Sequence, residues 1–333
     1  MIEFDFEEER IKQEIIKLGA KRVLLQMPQG LKPQATKLAE VIEAAGALPI
    51  ISADPCYGAC DIAVSEAEGL GVDLIVHFGH AKMLSQSRVP IVYVEGRAKT
   101  SIDAAVLQAL PLLQEYQKIG LATSVQHLQT LNQAKKILAS AGKVVLIGDA
   151  GQMRYAGQVT GCNYSNATSV AKEVEAFLFV GGGMFHALGI ALGTNKPTII
   201  ADPYDNRAFQ VNAQVQRILK QRFASIQEAK NAKSFGVLVG IKPGQKHLES
   251  ALKVKASAEK SGRAAFLFAS REITPETLLE FPSIDAYVNT ACPRISFDAP
   301  GKSQKPILTV SEFMVVCGEV SWESLLKNGL FEN

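Results

Sequence analysis

The sequence has almost no net charge, no long apolar run and few cysteines, and each scarcity excludes a class of protein. Lysine and arginine together number 35 against 33 aspartates and glutamates, and the basic residues are scattered along the chain. Proteins that bind nucleic acid usually carry a clustered basic face, so we expect no direct contact with nucleic acid. No apolar stretch approaches the roughly 20 residues that span a bilayer, so we expect no membrane segment.

The amino terminus lacks the pattern of a secretory signal. Its first ten residues, MIEFDFEEER, are acidic, and no apolar segment follows them. A signal peptide would have a basic start and an apolar centre, so we expect a cytoplasmic protein. The 333 residues, 47% apolar and 20% charged, are typical of a globular protein with a large core and two or three domains.

The few cysteines do not suit a disulfide framework. There are five, an odd number: Cys56, Cys60, Cys162, Cys292 and Cys317. In a chain without a secretion signal, they favour metal binding, redox chemistry or simple burial.

A repeated order of apolar strands and helices is the strongest pattern that is present. The first third predicts strands at 21–27, 48–53, 72–78 and 91–94, with a helix at 31–45. The second third predicts strands at 119–124, 143–147, 175–180 and 197–201, with a helix at 127–140. The last third predicts strands at 235–240, 264–268, 284–289 and 306–310, with a helix at 245–261. Continuous apolar strands that alternate with helices indicate an α/β fold with parallel sheets covered on both faces.

The three copies keep a close register. The last strand of each copy begins at Pro90, Pro197 or Pro306, spaced by 107 and 109 residues. We therefore predict three small α/β domains, at 1–105, 106–215 and 216–333. A single long Rossmann-like domain with a cap is the alternative. Ligands of open α/β sheets bind at the carboxyl ends of the strands, so three such edges could form one central site.

Each predicted domain supplies one cysteine from a loop that follows a strand. Cys60 and Cys162 follow second strands, and Cys292 follows a third strand. Thiolates are the usual ligands of iron–sulfur clusters. Three of them would suit one [4Fe–4S] cluster and would leave one iron open to a substrate, as catalytic zinc keeps an open position.

Other interpretations of the cysteines stay open at this point. Cys317, in MVVCGE, fits a buried small hydrophobic residue. Cys56 could belong to a cluster with Cys60, but no third cysteine follows within a few residues, so we predict a neighbour rather than a ligand. The five histidines form no evident zinc pattern, and none is paired with a particular cysteine as in a nucleophilic dyad.

Further polar positions fall at the same strand ends. The segment FVGGGMFHAL contains three glycines before a helix, where backbone can approach a ligand and N–H groups favour an anion. His80 and His186 follow the third strands of the first two copies. The remaining positions are Gln26 and Gln29 in QMPQG, Asp202 and Arg207 in ADPYDNR, and Arg294 in CPRIS. Together they fit a site for a zwitterionic molecule of nucleoside size.

These segments resemble a known family. The phrases QMPQG, PCYGACD, VHFGHAKM, GCNYSN, FVGGGMFHAL, ADPYDN and ACPRISFD are similar to those of the diphthamide synthesis proteins, in particular the archaeal type. The resemblance runs from about residue 20 to residue 315. It implies a triplicated α/β fold and a [4Fe–4S] cluster held by Cys60, Cys162 and Cys292. Relatives often carry an acidic residue at the position of Gly182, a departure that removes a polar role there.

The resemblance also implies a noncanonical radical reaction of S-adenosylmethionine. One electron from the reduced cluster breaks the bond between the sulfonium and the methionine Cγ, giving a 3-amino-3-carboxypropyl radical and 5′-methylthioadenosine. The radical then adds to C2 of a histidine imidazole in archaeal translation elongation factor two, the first step of diphthamide biosynthesis. A homodimer and an external electron donor are implied as further partners.

Given this reaction, our hypothesis is that the open iron contacts the methionyl part of S-adenosylmethionine and that the polar positions at the strand ends hold the rest of it. The expected contacts are Gln29, Gly181, Gly182, Gly183, His186, Asp202 and Arg294. Arg294 would pair with the carboxylate bidentately or raise the potential of the cluster. Two other functions compete with this one: a dehydratase like quinolinate synthase, and a non-catalytic scaffold that carries a cluster for electron transfer.

Overall fold

The structure is a computed structural model that describes residues 3–298 and 304–331. Its strands and helices alternate in three successive series. The first series comprises β1 (Phe4–Asp5), α1 (Glu8–Leu18), β2 (Arg22–Gln26), α2 (Ala35–Ala44), β3 (Leu48–Ile51), α3 (Val64–Gly69), β4 (Leu74–Phe78), β5 (Ile91–Val94) and β6 (Arg97–Ala98).

The second series begins with a helix and ends with the longest helix of the described chain. It comprises α4 (Asp103–Ala109), β7 (Lys118–Thr123), α5 (Leu131–Ser140), β8 (Val144–Leu146), α6 (Ser165–Val170), β9 (Ala176–Val180), α7 (Phe185–Thr194), β10 (Thr198–Asp202), β11 (Arg207–Gln210) and α8 (Asn212–Ala229). The third series comprises β12 (Ser234–Gly240), α9 (Leu248–Lys260), β13 (Ala264–Ser270), α10 (Pro275–Leu279), β14 (Ala286–Asn289), α11 (Pro293–Asp298), β15 (Ile307–Leu308), α12 (Val310–Val316) and α13 (Trp322–Asn328).

Each series forms one main sheet, and the order of the strands is the same in all three. The orders are β3-β2-β4-β5, β8-β7-β9-β10 and β13-β12-β14-β15. Within these sets the neighbours of β2, β4, β12 and β14 are parallel to them, and so are the pairs β7–β8 and β9–β10. Counted along the chain within these main sheets, the third strand (β4, β9 or β14) is buried along its whole length. The predicted α/β class with parallel sheets is confirmed.

An acidic residue before each third strand explains the repeated phrase at that place. Asp73, Glu175 and Asp285 accept hydrogen bonds from two successive backbone N–H groups at the start of the first strand of their own main sheet, which is β2, β7 or β12. For Asp73 the distances are 2.9 Å and 2.8 Å. These N–H donors lower the pKa of all three carboxyl groups. The carboxylates therefore fix the register between the first and third strands.

The contacts divide the chain into two compact units. The first comprises Met1–Ser101, Thr123–Thr130 and Lys242–Gly244, and the second comprises Ile102–Ala122, Leu131–Ile241 and Gln245–Asn333. In the first unit, successive residues Leu24 and Leu25 of β2 enter different cores on opposite faces of the sheet. In the second unit, one large core joins side chains from the second and third sheets. The predicted boundaries of three domains stay a prediction.

The main differences from the predicted elements lie at their ends. In each series a 3₁₀ turn stands before or at the predicted helix start, at Gln29–Gln34, Val125–Thr130 and Pro243–Gln245. Such turns are frequent at helix starts. The strand predicted at 306–310 ends at Leu308, because Thr309 and Glu312 form a capping box that starts α12. The antiparallel strands β1, β6 and β11 were not predicted.

Candidate functional site

A strand-end amide holds the loop that carries Cys60. This loop runs from the end of β3 to the start of α3, and Gln26 is the last residue of β2. The Gln26 side chain donates from Nε2 to the carbonyl oxygen of Asp61 at 2.6 Å. Its Oε1 accepts from the backbone N–H of Ala63 at 3.1 Å. Gln26 therefore fixes the backbone directly after Cys60, at the carboxyl end of the sheet as predicted.

A buried ion pair anchors the same loop. Lys242 Nζ lies 3.0 Å from Asp61 Oδ2, and the exposed fractions of the two side chains are only 4% and 1%. The ammonium also lies 4.6 Å from the centre of the Tyr57 ring. Lys242 belongs to the first compact unit although it follows β12 in the sequence. Sequence analysis missed this pair, because no local pattern links residues so far apart in the chain.

Gly244 closes the other side of the Cys60 loop. Its N–H donates to the carbonyl oxygen of Cys60 at 2.8 Å. A Cβ added at Gly244 would lie 2.6 Å from the Cα and Cβ of Cys60, so the position requires glycine. The backbone of Cys60 is thus held on both sides.

The loop that carries Cys292 is held by a similar amide. Asn289 is the last residue of β14, and its Nδ2 donates to the carbonyl oxygen of Cys292 at 2.6 Å. Its Oδ1 accepts from the backbone N–H of Ala291 at 2.9 Å. Cys292 is half-buried, directly before α11. Asn289 was also missed by sequence analysis, although an amide at the end of a buried apolar strand is a signal that could have found it.

Cys162 lies in a loop that packs closely on Phe185. The Cys162 thiol is half-buried with Thr160 Oγ1 3.7 Å from its sulfur, and burial raises the pKa of the thiol. A Cβ at Gly161 would lie 2.3 Å from the Phe185 ring, so this contact requires glycine.

Phe185 and Tyr164 link the surroundings of Cys162 and Cys292. The guanidinium of Arg294, two residues after Cys292, lies over the Phe185 ring at 3.7 Å from its centre. Burial raises the pKa of the Tyr164 hydroxyl, and Arg294, Cys162 and Cys292 all act on it electrostatically. The second unit therefore brings these two cysteines into one neighbourhood. Sequence analysis missed both aromatic residues because it sought polar ligands.

The predicted glycine loop is shaped by Asp202. The Asp202 carboxylate, at the end of β10, accepts from the N–H of Gly183 at 3.4 Å and of Tyr204 at 2.9 Å. A Cβ at Gly182 would lie 2.5 Å from the Tyr204 ring. Gly181 donates its N–H to the carbonyl oxygen of Ala201. The loop therefore continues the pairing of β9 and β10, and no side chain fits at Gly182 in this arrangement.

The other predicted polar residues also stand after strand ends. His186, in the first turn of α7, stacks on Phe179 with ring centres 5.4 Å apart. Gln29 is exposed in the 3₁₀ turn after β2. Arg294 forms an ion pair with Asp298 at 2.6 Å. Arg207 pairs with Asp205 at 2.8 Å on an exposed surface.

A group of nitrogen and sulfur atoms in the first unit corrects one expectation. Cys56, His77 and His80 each place one ligand atom within 4.8 Å of the others, whereas the sequence showed no zinc pattern among the histidines. His77 Nδ1 lies 3.0 Å from Gln26 Oε1, and His77 Nε2 lies 2.9 Å from His80 Nδ1. The arrangement was missed because a cysteine loop and a separate strand contribute to it. Cys317, predicted to be a buried hydrophobic residue, is half-buried and packs against the large core.

No helix in the described part of the chain is long and apolar enough to cross a membrane. The five cysteines, all within the described ranges, form no disulfide.

Comparison with known proteins gives one consistent family. Residues 27–326 match the family model described as "Putative diphthamide synthesis protein". The chain is 37% identical to the 2-(3-amino-3-carboxypropyl)histidine synthase of Pyrococcus horikoshii, over 92% of this chain and 89% of that protein. It is 30% identical to subunit 1 of the human synthase, over 96% of this chain and 73% of that protein.

Solved structures agree with these sequence matches. The crystal structure of Dph2 from Pyrococcus horikoshii superposes with a TM-score of 0.89 at 36% identity, covering 96% of this chain and 93% of that one. A second structure of the same protein, described as containing a 4Fe-4S cluster, gives the same TM-score at 35% identity. The family that the sequence motifs indicated is therefore confirmed, and this chain belongs to the diphthamide synthesis proteins.

Proposed function

We propose that the protein is a 2-(3-amino-3-carboxypropyl)histidine synthase. It transfers the 3-amino-3-carboxypropyl group of S-adenosylmethionine to C2 of a histidine imidazole in translation elongation factor two and releases 5′-methylthioadenosine. The single observation that carries this proposal is the 37% identity to the Pyrococcus synthase over 92% of the chain. The reaction is the first step of diphthamide biosynthesis.

The donor set of this chain fits a [4Fe–4S] cluster. Cys60, Cys162 and Cys292 are half-buried thiols in loops that follow strands, and none of them takes part in a disulfide. Thiolates are the usual ligands of such clusters, and a relative has been solved with one. We propose that these three cysteines hold the cluster. When bound, the cluster supplies the electron that cleaves the sulfonium.

Rigid loops around the cysteines support this role. Gln26 and Asn289 each donate to and accept from backbone next to a proposed ligand. Such supporting hydrogen bonds orient metal ligands and are costly to remove. The protein therefore contributes preorganised thiols rather than the redox chemistry itself.

Arg294 is proposed to bind the carboxylate of S-adenosylmethionine. The Phe185 ring stacks on the face of its guanidinium, which leaves the edges of the fork for hydrogen bonds. Asp298 already takes one of these edges. A bidentate carboxylate would compete with Asp298 for the same donors. Gln29, Gly181, Gly182, Gly183, His186 and Asp202 are proposed to hold the amino-acid and nucleoside ends, with Asp202 acting through the loop that it shapes.

We further propose a cytoplasmic homodimer of the archaeal type that receives its electron from an external donor. The protein substrate is elongation factor two, whose target imidazole must reach the carbon radical. Nucleic acid is not expected as a direct partner.

The test is made anaerobically with protein reconstituted with iron and sulfide, reduced with dithionite and supplied with S-adenosylmethionine. We expect 5′-methylthioadenosine as the nucleoside product. Cys60→Ala, Cys162→Ala and Cys292→Ala should each abolish it, whereas the matched control Cys317→Ala should retain it. Release of 5′-deoxyadenosine would show that the other C–S bond breaks. No cleavage with a full complement of iron would overturn the proposal, in favour of a quinolinate synthase-like dehydratase or an electron-transfer scaffold.

A further inference from the structure

We propose that Cys56, His77 and His80 form a second metal site, separate from the three proposed cluster cysteines, that binds one zinc-class divalent cation. All three residues belong to the first compact unit. The site goes beyond the proposed function, which assigns none of the three a role.

The ligand atoms lie close to one another. They are all within 4.8 Å of one another. Zinc bonds of about 2.0–2.1 Å to nitrogen and about 2.3 Å to sulfur give tetrahedral edges of roughly 3.3 Å between nitrogens and roughly 3.6 Å between nitrogen and sulfur. The distance from His77 Nε2 to His80 Nδ1 is 2.9 Å, as in a hydrogen bond. A bound cation would take the place of the proton between these two nitrogens.

Hydrogen bonds fix which nitrogen of His77 faces the site. Asp61 contributes a carbonyl oxygen and Ala63 an N–H to the Gln26 amide, so the Gln26 Oε1 atom is identified by its partners. An oxygen can only accept, so His77 donates to it from Nδ1. The lone pair of His77 is therefore on Nε2, towards His80. Metal-binding histidines typically donate their other N–H to such an acceptor.

The surroundings suit a neutral-imidazole, thiolate site. His77 and Cys56 are buried, with exposed fractions of 0% and 3%. A bound dication would displace the thiol proton to the solvent, as metal binding to thiols generally does.

The donor types select the class of metal. Two imidazole nitrogens and one thiolate suit zinc or a similar transition metal, whereas magnesium and calcium require oxygen ligands. Three protein ligands leave a fourth position for water or another small ligand.

The primary experiment measures zinc and iron together in protein isolated anaerobically from zinc-supplemented cells. We expect one zinc per chain in addition to the iron of the cluster, with one sulfur and two nitrogens from the protein in the zinc X-ray absorption spectrum. Less than stoichiometric zinc after equilibration with added zinc(II), or a zinc shell without sulfur, would overturn the proposal.

Variants separate this site from the cluster. Cys56→Ser and His80→Gln should each weaken zinc(II) binding by more than the roughly 10- to 100-fold that loss of a supporting partner costs. Iron and sulfide contents should stay at the wild-type level. Cys317→Ser should keep the zinc, and so should Cys162→Ala, which removes a proposed cluster ligand from the second unit. A melting curve for each variant excludes simple unfolding, and His80→Gln alone suffices where Cys56→Ser does not fold.

Two outcomes would distinguish failure of this inference from failure of the proposed function. If Cys56→Ser loses iron and sulfide while no variant changes zinc binding, Cys56 belongs to the cluster and the second site does not exist. Absence of 5′-methylthioadenosine with the zinc results as expected would instead overturn only the proposed function.

Discussion

The Cys60 loop and the Cys292 loop are held by the same kind of local hydrogen bond, but their other contacts differ. In both, an amide at the last residue of a buried strand bonds backbone beside the cysteine: Gln26 for Cys60 and Asn289 for Cys292. The Cys60 loop then relies on a buried ion pair and a close backbone contact from residues 242–244. The surroundings of Cys292 rely on the stacking of Arg294 over Phe185.

This difference shows where information about a site is encoded. The hydrogen bonds from the two side-chain amides are local, because each amide and its cysteine loop lie at the end of one sheet. Within the first unit, the ion pair of Asp61 and Lys242 joins the Cys60 loop to a segment that lies after β12 in the chain. The Cys60 loop should therefore respond most strongly to a change far away in the sequence.

The largest expected effect is that of Lys242→Met. It removes the ammonium that pairs with the buried Asp61 carboxylate, and breaking a buried ion pair costs about 3–5 kcal/mol. Urea unfolding monitored by far-ultraviolet circular dichroism measures the decrease in the free energy of unfolding. The double variant Asp61→Leu with Lys242→Met should recover most of the stability, because a buried pair replaced by apolar groups is often neutral. Equal instability of the single and double variants would contradict a role for charge.

A smaller effect is expected for Gly244→Ala. The new Cβ would meet the Cα and Cβ of Cys60 at 2.6 Å, and overpacking of this kind costs about 1–3 kcal/mol. Iron content after reconstitution should fall as well, because the Cys60 backbone must move. Gly30→Ala is the matched control, since a Cβ there meets nothing within 4 Å. Unchanged stability and iron content in Gly244→Ala would show that the contact relaxes freely.

Asn289→Ala should cost about 1–3 kcal/mol, because it removes partners from buried backbone groups beside Cys292. The exposed Asn212→Ala serves as its control. Thermal unfolding measures both variants. If Asn289→Ala lowers stability no more than Asn212→Ala, the hydrogen bonds of the Asn289 amide do not hold the Cys292 loop.

The smallest effect on stability is expected at the three carboxylates, Asp73, Glu175 and Asp285, that fix the register of neighbouring strands. Their pKa values are lowered in the folded state, so their stabilisation is present at neutral pH and is lost as the pH falls below about 4. Asp73→Asn should lower the melting temperature by a few degrees at pH 7 and by less at pH 3. A drop of the same size at both pH values would contradict the assignment to the charge.

Periodicity predicted most of the sheet architecture. All twelve predicted strands are present. Strands of a parallel sheet are buried on both faces, so a short continuous apolar run is a reliable sign of one. The helix starts differ where 3₁₀ turns intervene, as at Gln29–Gln34, where Pro33 has no N–H for a helical bond. The short antiparallel strands were missed because turns, rather than apolar runs, create them.

The sequence motifs predicted the candidate ligands of the site, but not the residues that support them. Cys60, Cys162 and Cys292 are predicted ligands because each lies in a loop that follows a strand, one in each predicted domain. Lys242, Phe185 and the group of Cys56 with His77 and His80 were not, because each depends on contacts between segments that only the fold brings together. Tertiary contacts of this kind leave no periodic trace in one sequence.

The central claim is the proposal that Cys60, Cys162 and Cys292 hold one cluster. The most direct measurement is the iron and acid-labile sulfide content of anaerobically reconstituted wild-type, Cys60→Ala and Cys162→Ala proteins. The account predicts about four irons and four sulfides per wild-type chain, with both contents strongly reduced in each single variant. Full iron and sulfide in Cys162→Ala would contradict it, because Cys162 would then not be a ligand of the cluster.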